Sequence, residues 1–84
     1  MHRENVIVSA IFHKNGIIEP KLIYWAGSEK QGWIEIDRIR DVKKAASLKA
    51  GGQGTRYTCR IAGKQKFLYL EEQDGKHVWF VEAK

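Results

Sequence analysis

Arg56, Thr58 and Arg60 stand two residues apart in the run Thr55-Arg56-Tyr57-Thr58-Cys59-Arg60-Ile61. In an extended strand side chains alternate between faces, so two guanidinium groups and a hydroxyl share one side at about 7 Å intervals. A planar guanidinium meets a phosphate through two parallel hydrogen bonds, and this interval is close to the separation of consecutive phosphates along one nucleic-acid strand. The chemistry implied is recognition of a polyanionic backbone. Lys64 and Lys66 would extend the row across the next turn, and Lys49 would flank its other end. Arg38, Arg40, Lys43 and Lys44 supply a second basic edge. In the competing reading, Glu35, Asp37, Glu71 or Glu72 on adjacent strands pair with these arginines and hold them as structural ions.

The stretch Lys49-Ala50-Gly51-Gly52-Gln53-Gly54-Thr55-Arg56 precedes that run and carries three glycines. A phosphate-binding P-loop needs four residues between its glycines, then Gly-Lys-Ser/Thr opening a helix. Here Gly54 leads through Thr55-Arg56 into a strand, and glycines at 51, 52 and 54 miss the dinucleotide spacing as well. The stretch reads as an inter-strand loop whose cationic ends could close over a nucleic-acid backbone.

Proteins that bind single strands stack bases on exposed rings beside cations. A domain this small needs most of its rings inside; Trp33, which shares a strand face with Glu35 and Asp37, is the candidate platform. Catalytic groupings are poor. His2, His13, His77, Cys59, Asp37 and Asp41 show no metal-ligand spacing, and neither C-x-x-C nor H-E-x-x-H occurs. Cys59 alternates with Tyr57 and Ile61 on the apolar side and reads as a small buried hydrophobe. No catalytic residue, metal or cofactor is expected.

These side chains need a frame, and the chain's patterning supplies one. Asn5 to His13 is rich in β-branched and aromatic residues and runs into Asn15-Gly16, a hairpin signal. Ile17 to Trp25 resumes the extended pattern, with Pro20 demanding an edge or a bulge because it lacks an N–H. Gly27 to Gly32 is a polar turn. Ile34 and Ile36 point inward against Glu35 and Asp37. Residues 38–48 admit two readings, a short amphipathic helix capped by Asp37 or a bulged continuation of the preceding strand, and strand economy favours the second. Lys66 to Glu71 and His77 to Glu82 form a further hairpin around Gln73-Asp74-Gly75-Lys76, apolar on both sides. Five or six short strands at such spacing predict one all-β domain over residues 1–84, a small SH3-like or barrel-like sheet.

Composition agrees, with 43% apolar and 30% charged residues in 84. A chain of this length buries only about 60–65% of its unfolded surface, so the core is small. A single cysteine excludes an internal disulfide, and Met1-His2-Arg3-Glu4-Asn5 does not open a signal peptide; a cytoplasmic protein without membrane association is expected. The net charge of +5 is concentrated. Residues 38–66 hold nine Lys and Arg against Asp41 alone, while residues 1–37 and 67–84 sum to −1 and −2.

The run IDRIRDVKKAASLKAGGQGTRYTCRI, followed by KFLYLEE and WFVE, resembles a group of small uncharacterised proteins of Gram-positive bacteria. The resemblance covers most of the chain from Pro20 onward, is most specific from Ala45 to Arg60, and implies a compact β-rich bacterial domain without an assigned activity. The expectation for function is a non-enzymatic binding module that contacts DNA or RNA phosphates through its basic centre. The alternative is a protein-interaction or structural accessory module, including a homodimer pairing through an exposed edge strand.

Overall fold

A computed structural model describes residues 2–25, 32–46 and 53–83. Six strands, β1 (His2–Phe12), β2 (Ile18–Tyr24), β3 (Trp33–Ala46), β4 (Gln53–Ile61), β5 (Lys64–Gln73) and β6 (Lys76–Ala83), make a closed antiparallel barrel in which each pairs with the next. Closure comes from β1, whose first half pairs with β6 and whose second half pairs with β2. The small all-β barrel read from the pattern is therefore the fold. No helix among the described residues is long and apolar enough to cross a membrane.

Turn chemistry fixes the registers. Ala62-Gly63 and Asp74-Gly75 each put two consecutive residues at positive φ (51° and 78°, 50° and 76°), which a two-residue type I′ hairpin requires. Residues Ile61 and Lys64 consequently face each other, as do Gln73 and Lys76. At the first hairpin the Asn15 side chain accepts a hydrogen bond from Ile17 N at 3.1 Å, an Asx turn that reverses the chain. Pro20 is buried beside a register shift between Ser9 and Ala10, the bulge position that its missing donor demands.

Residues 38–46 are strand, not helix. Two register shifts, between Ile36 and Arg38 and between Ile39 and Asp41, explain the broken alternation, since each bulge sets two residues of β3 against one of β4. Residues 47 and 48 lie outside the described residues, as do most of the Gly27–Gly32 turn and Lys49 to Gly52; Gln53, Gly54 and Thr55 belong to β4 and not to a loop.

The core holds Val6, Ile23, Ile34, Ile36, Tyr57, Cys59, Ile61, Leu68, Leu70, Trp79 and Val81, drawn from all six strands. Along β4 the buried Tyr57, Cys59 and Ile61 alternate with less buried neighbours, so their parity sets the direction of those neighbours. With Tyr57, Cys59 and Ile61 inside, Arg56, Thr58 and Arg60 must point out.

Candidate nucleic-acid interface

Directly paired residues of neighbouring strands point to the same side of a sheet, so register shows which cations meet. Arg60 is opposite Arg38 on β3 and Gln65 on β5. One step along, Thr58 is opposite Asp41 and Phe67, and a further step sets Arg56 opposite Lys43 and Tyr69. Arg40 is exposed at the second bulge, beside Asp41. The outer face of β3 and β4 thus gathers Arg38, Arg40, Lys43, Arg56 and Arg60, with Asp37 and Asp41 at the bulges.

The two arginines of β4 differ in how freely they can act. Arg60, Arg38 and Arg40 are exposed and have no ion-pair partner among the described residues. Lys43 lies 3.5 Å from Asp41, a weak and solvated contact. Arg56 is half-buried, its guanidinium 5.0 Å from the centre of the Phe67 ring. Beyond it the Tyr69 phenol donates a short hydrogen bond to Glu82, and its ring stacks on Phe80 at 5.0 Å and 8°. Desolvation and Glu82 both raise the Tyr69 pKa, while the nearby Arg56 guanidinium opposes the rise. Arg56 is therefore partly held by an aromatic shelf, and Arg60 replaces it as the central free cation.

Register corrects the expected role of Lys64 and Lys66. Lys64 pairs with Ile61 and Lys66 with Cys59, so the two lysines, one exposed and one half-buried, share the side of those core residues and are out of phase with the Arg56–Arg60 row. The cause is the two-residue turn, which carries the parity of Ile61 directly to Lys64. Lys66 instead sits 5.6 Å from the centre of the Trp25 ring, and the Trp25 indole donates to Glu4 at 2.6 Å. Gln65 continues the outer row.

Lys44 also departs from the basic edge. It pairs with Thr55, one residue out of phase with Lys43, and both lysines line a groove of about 380 Å³ with Ile17, Val42, Tyr57 and Leu70. The floor is pinned where the Tyr57 hydroxyl donates to Ile18 O at 2.8 Å. Burial raises the Tyr57 pKa, with the neighbouring Cys59 adding to it. Lys49 lies outside the described residues.

Trp33 is exposed as expected, and it is not alone. Register sets it opposite Tyr24, which in turn faces Ile7 on β1, so three large apolar residues form one row on the outer face. Tyr24 is one of several candidate rings in the sequence, and Ile7 carries no such signal; the row that joins them to Trp33 exists only in the pairing.

The remaining reactive groups have structural surroundings. Cys59 is fully buried, and burial pushes its thiol up to about 11, so it stays protonated at neutral pH and is a poor nucleophile. His13 and Lys21 both contact Glu19 at 2.9 Å, and hydrogen bonds from Lys21 and then His13 lower that carboxyl's pKa. Among the described residues no three His, Cys, Asp or Glu side chains are grouped to hold a metal ion. No protein-family model, curated protein or solved structure matches the chain.

Proposed function

We propose that this chain is a non-enzymatic nucleic-acid-binding module that seats phosphates on the outer face of β3 and β4. Arg38 and Arg60 are the central contacts, Arg40 and Lys43 extend them, and Arg56 stands at the margin. One observation carries the reading: Arg38 faces Arg60 and Lys43 faces Arg56, two like-charged pairs on the same face of the same two strands, with the Asp41–Thr58 row between them. Like charges directly opposite each other destabilise a sheet. Asp41 offsets Lys43 at 3.5 Å, but Arg38 and Arg60 face each other with no ion-pair partner among the described residues, and a bound polyanion would turn that repulsion into attraction.

Dimensions support the same partner. Outward residues along β4 repeat at about 7 Å and cross-strand neighbours lie about 4.5–5.5 Å apart, a grid on which successive phosphates of one strand can each meet a guanidinium. Phosphate contacts of this kind give affinity without sequence preference. Binding of labelled DNA and RNA oligonucleotides across a salt series tests the reading, because each phosphate neutralised adds about −0.7 to −0.9 to the log–log slope. Three to four contacts predict a slope near −3; a flat salt response or absent binding at low salt contradicts it.

The edge-strand homodimer loses most of its premise in a closed barrel. Every strand has a neighbour on each side, although the ladders are partial: β1 pairs with β6 over residues 2–6 and with β2 over residues 7–12, and β3 pairs with β2 over residues 33–35.

A further inference from the structure

We infer that the strand this surface takes is single-stranded, with bases against the Tyr24–Trp33 corner and backbone over Arg38 and Arg60; the inference rests on the phosphate reading above. Trp33 is 52% exposed, Tyr24 40% and Ile7 62%, and all three occupy one register row. Single exposed apolar residues are ordinary on a protein surface, but a contiguous row of three across three strands marks a contact site.

The ring geometry suits a flat partner. Tyr24 and Trp33 meet edge to face, with centroids 5.8 Å apart and planes at 66°. The two rings do not cover each other's faces, so they form a corner in which a planar base can lie against one ring with its edge toward the other. Base–aromatic stacking tolerates any sequence because every base has a π face. A duplex keeps its bases stacked inside and offers this corner nothing.

Continuity with the cations selects nucleic acid over an apolar protein partner. Trp33 and Arg38 lie on the same strand five residues apart, about 16 Å along β3, which two or three nucleotides span. Between them Glu35 and Asp37 are exposed carboxylates that repel phosphate. They push the backbone to the β4 side, where Arg60 stands, and leave the β2 side to the bases, whose amino groups a carboxylate can accept from.

The test compares an oligothymidylate of about 12 nucleotides, within the site sizes of single-strand binders, with a duplex of equal length, using the wild type, Trp33→Ala and Tyr24→Ala. The wild type should prefer the single strand, with quenching of tryptophan fluorescence that disappears in Trp33→Ala. Losing one stacked ring should weaken single-strand binding about 5- to 100-fold while leaving the salt slope unchanged. Both side chains are substantially exposed, and circular dichroism verifies that each variant folds. Equal affinity for duplex and single strand with no effect of either substitution would overturn this inference and spare the phosphate reading. Absence of binding to both would remove the two together. A homodimer in light scattering that either substitution dissociates would assign the row to self-association and also overturn the inference.

Discussion

Replacing Arg60 by glutamine should make the protein more stable and a weaker ligand for polyanions. Arg60 lies opposite Arg38 on the outer face, both exposed and without an ion-pair partner among the described residues. A directly opposed cross-strand pair of like charge costs about 0.2–1 kcal/mol, and glutamine keeps much of the side chain's length while removing the charge. For a domain of this size 1 kcal/mol moves Tm by about 4–8 °C, so Arg60→Gln should melt about 1–8 °C higher in low salt. Arg60→Glu, which converts the pair to opposite charges, should melt at least as high. The gain should shrink in about 1 M NaCl, where the Debye length falls to about 3 Å. In parallel, the salt dependence of oligonucleotide binding should lose about one phosphate contact's worth of slope. Thermal melts by circular dichroism at low and high salt read the first effect, and fluorescence anisotropy reads the second. A variant that melts at or below the wild type in low salt would refute the claim that the fold tolerates this repulsion for a partner's sake.

The interior and the turns give further expectations. Cys59 is fully buried with its thiol raised to about 11 from an ordinary 9.0, so the folded state holds its proton more tightly than the unfolded chain. Its contribution is complete below pH 9 and lost as pH rises toward 11, with Tyr57 and Tyr69, also raised, acting in the same direction. Urea midpoints from pH 8 to 11 should fall, and Cys59→Ala should start lower but fall less steeply; native protein at pH 8 should resist thiol reagents that label it after denaturation. Ala62 holds φ 51° in its hairpin turn, a left-handed conformation that asparagine tolerates better, so Ala62→Asn should raise stability by about 0.5–1 kcal/mol in a denaturant titration. Leu68 is fully buried in the core, and Leu68→Ala should cost about 2–5 kcal/mol, a large share of the about 5–15 kcal/mol available to a domain. An unchanged urea midpoint for Leu68→Ala would mean the barrel interior is not packed as described.

Much of this barrel was legible in local chemistry. Alternation places Ile34, Ile36, Tyr57, Cys59 and Ile61 inside, Pro20 calls for an edge or a bulge and sits at a bulge, and Asn15-Gly16 and Asp74-Gly75 announce their turns. The stretch from Arg38 to Ala46 stayed ambiguous because two bulges scramble a period of two into something close to a helical one, and only pairing with β4 resolves it. The site was half legible. Arg56 and Arg60 share an outward face as spacing dictates, but proximity in sequence misleads for Lys64 and Lys66, which the short turn sets in phase with Ile61 and Cys59. What spacing cannot show is who stands opposite. The Arg38–Arg60 pair, the Phe67 shelf that half-buries Arg56 and the Ile7–Tyr24–Trp33 row all arise between strands distant in the chain.

Amide chemical-shift mapping during titration with a short oligonucleotide tests the account most directly. Shifts should cluster at Arg38 to Lys43 and Arg56 to Arg60, fade as salt is added, and spare Lys64 and Lys66. Shifts centred on Lys64, Lys66 or the groove around Lys44, or none at low salt, would contradict the claim that the outer face of β3 and β4 is a phosphate-binding surface.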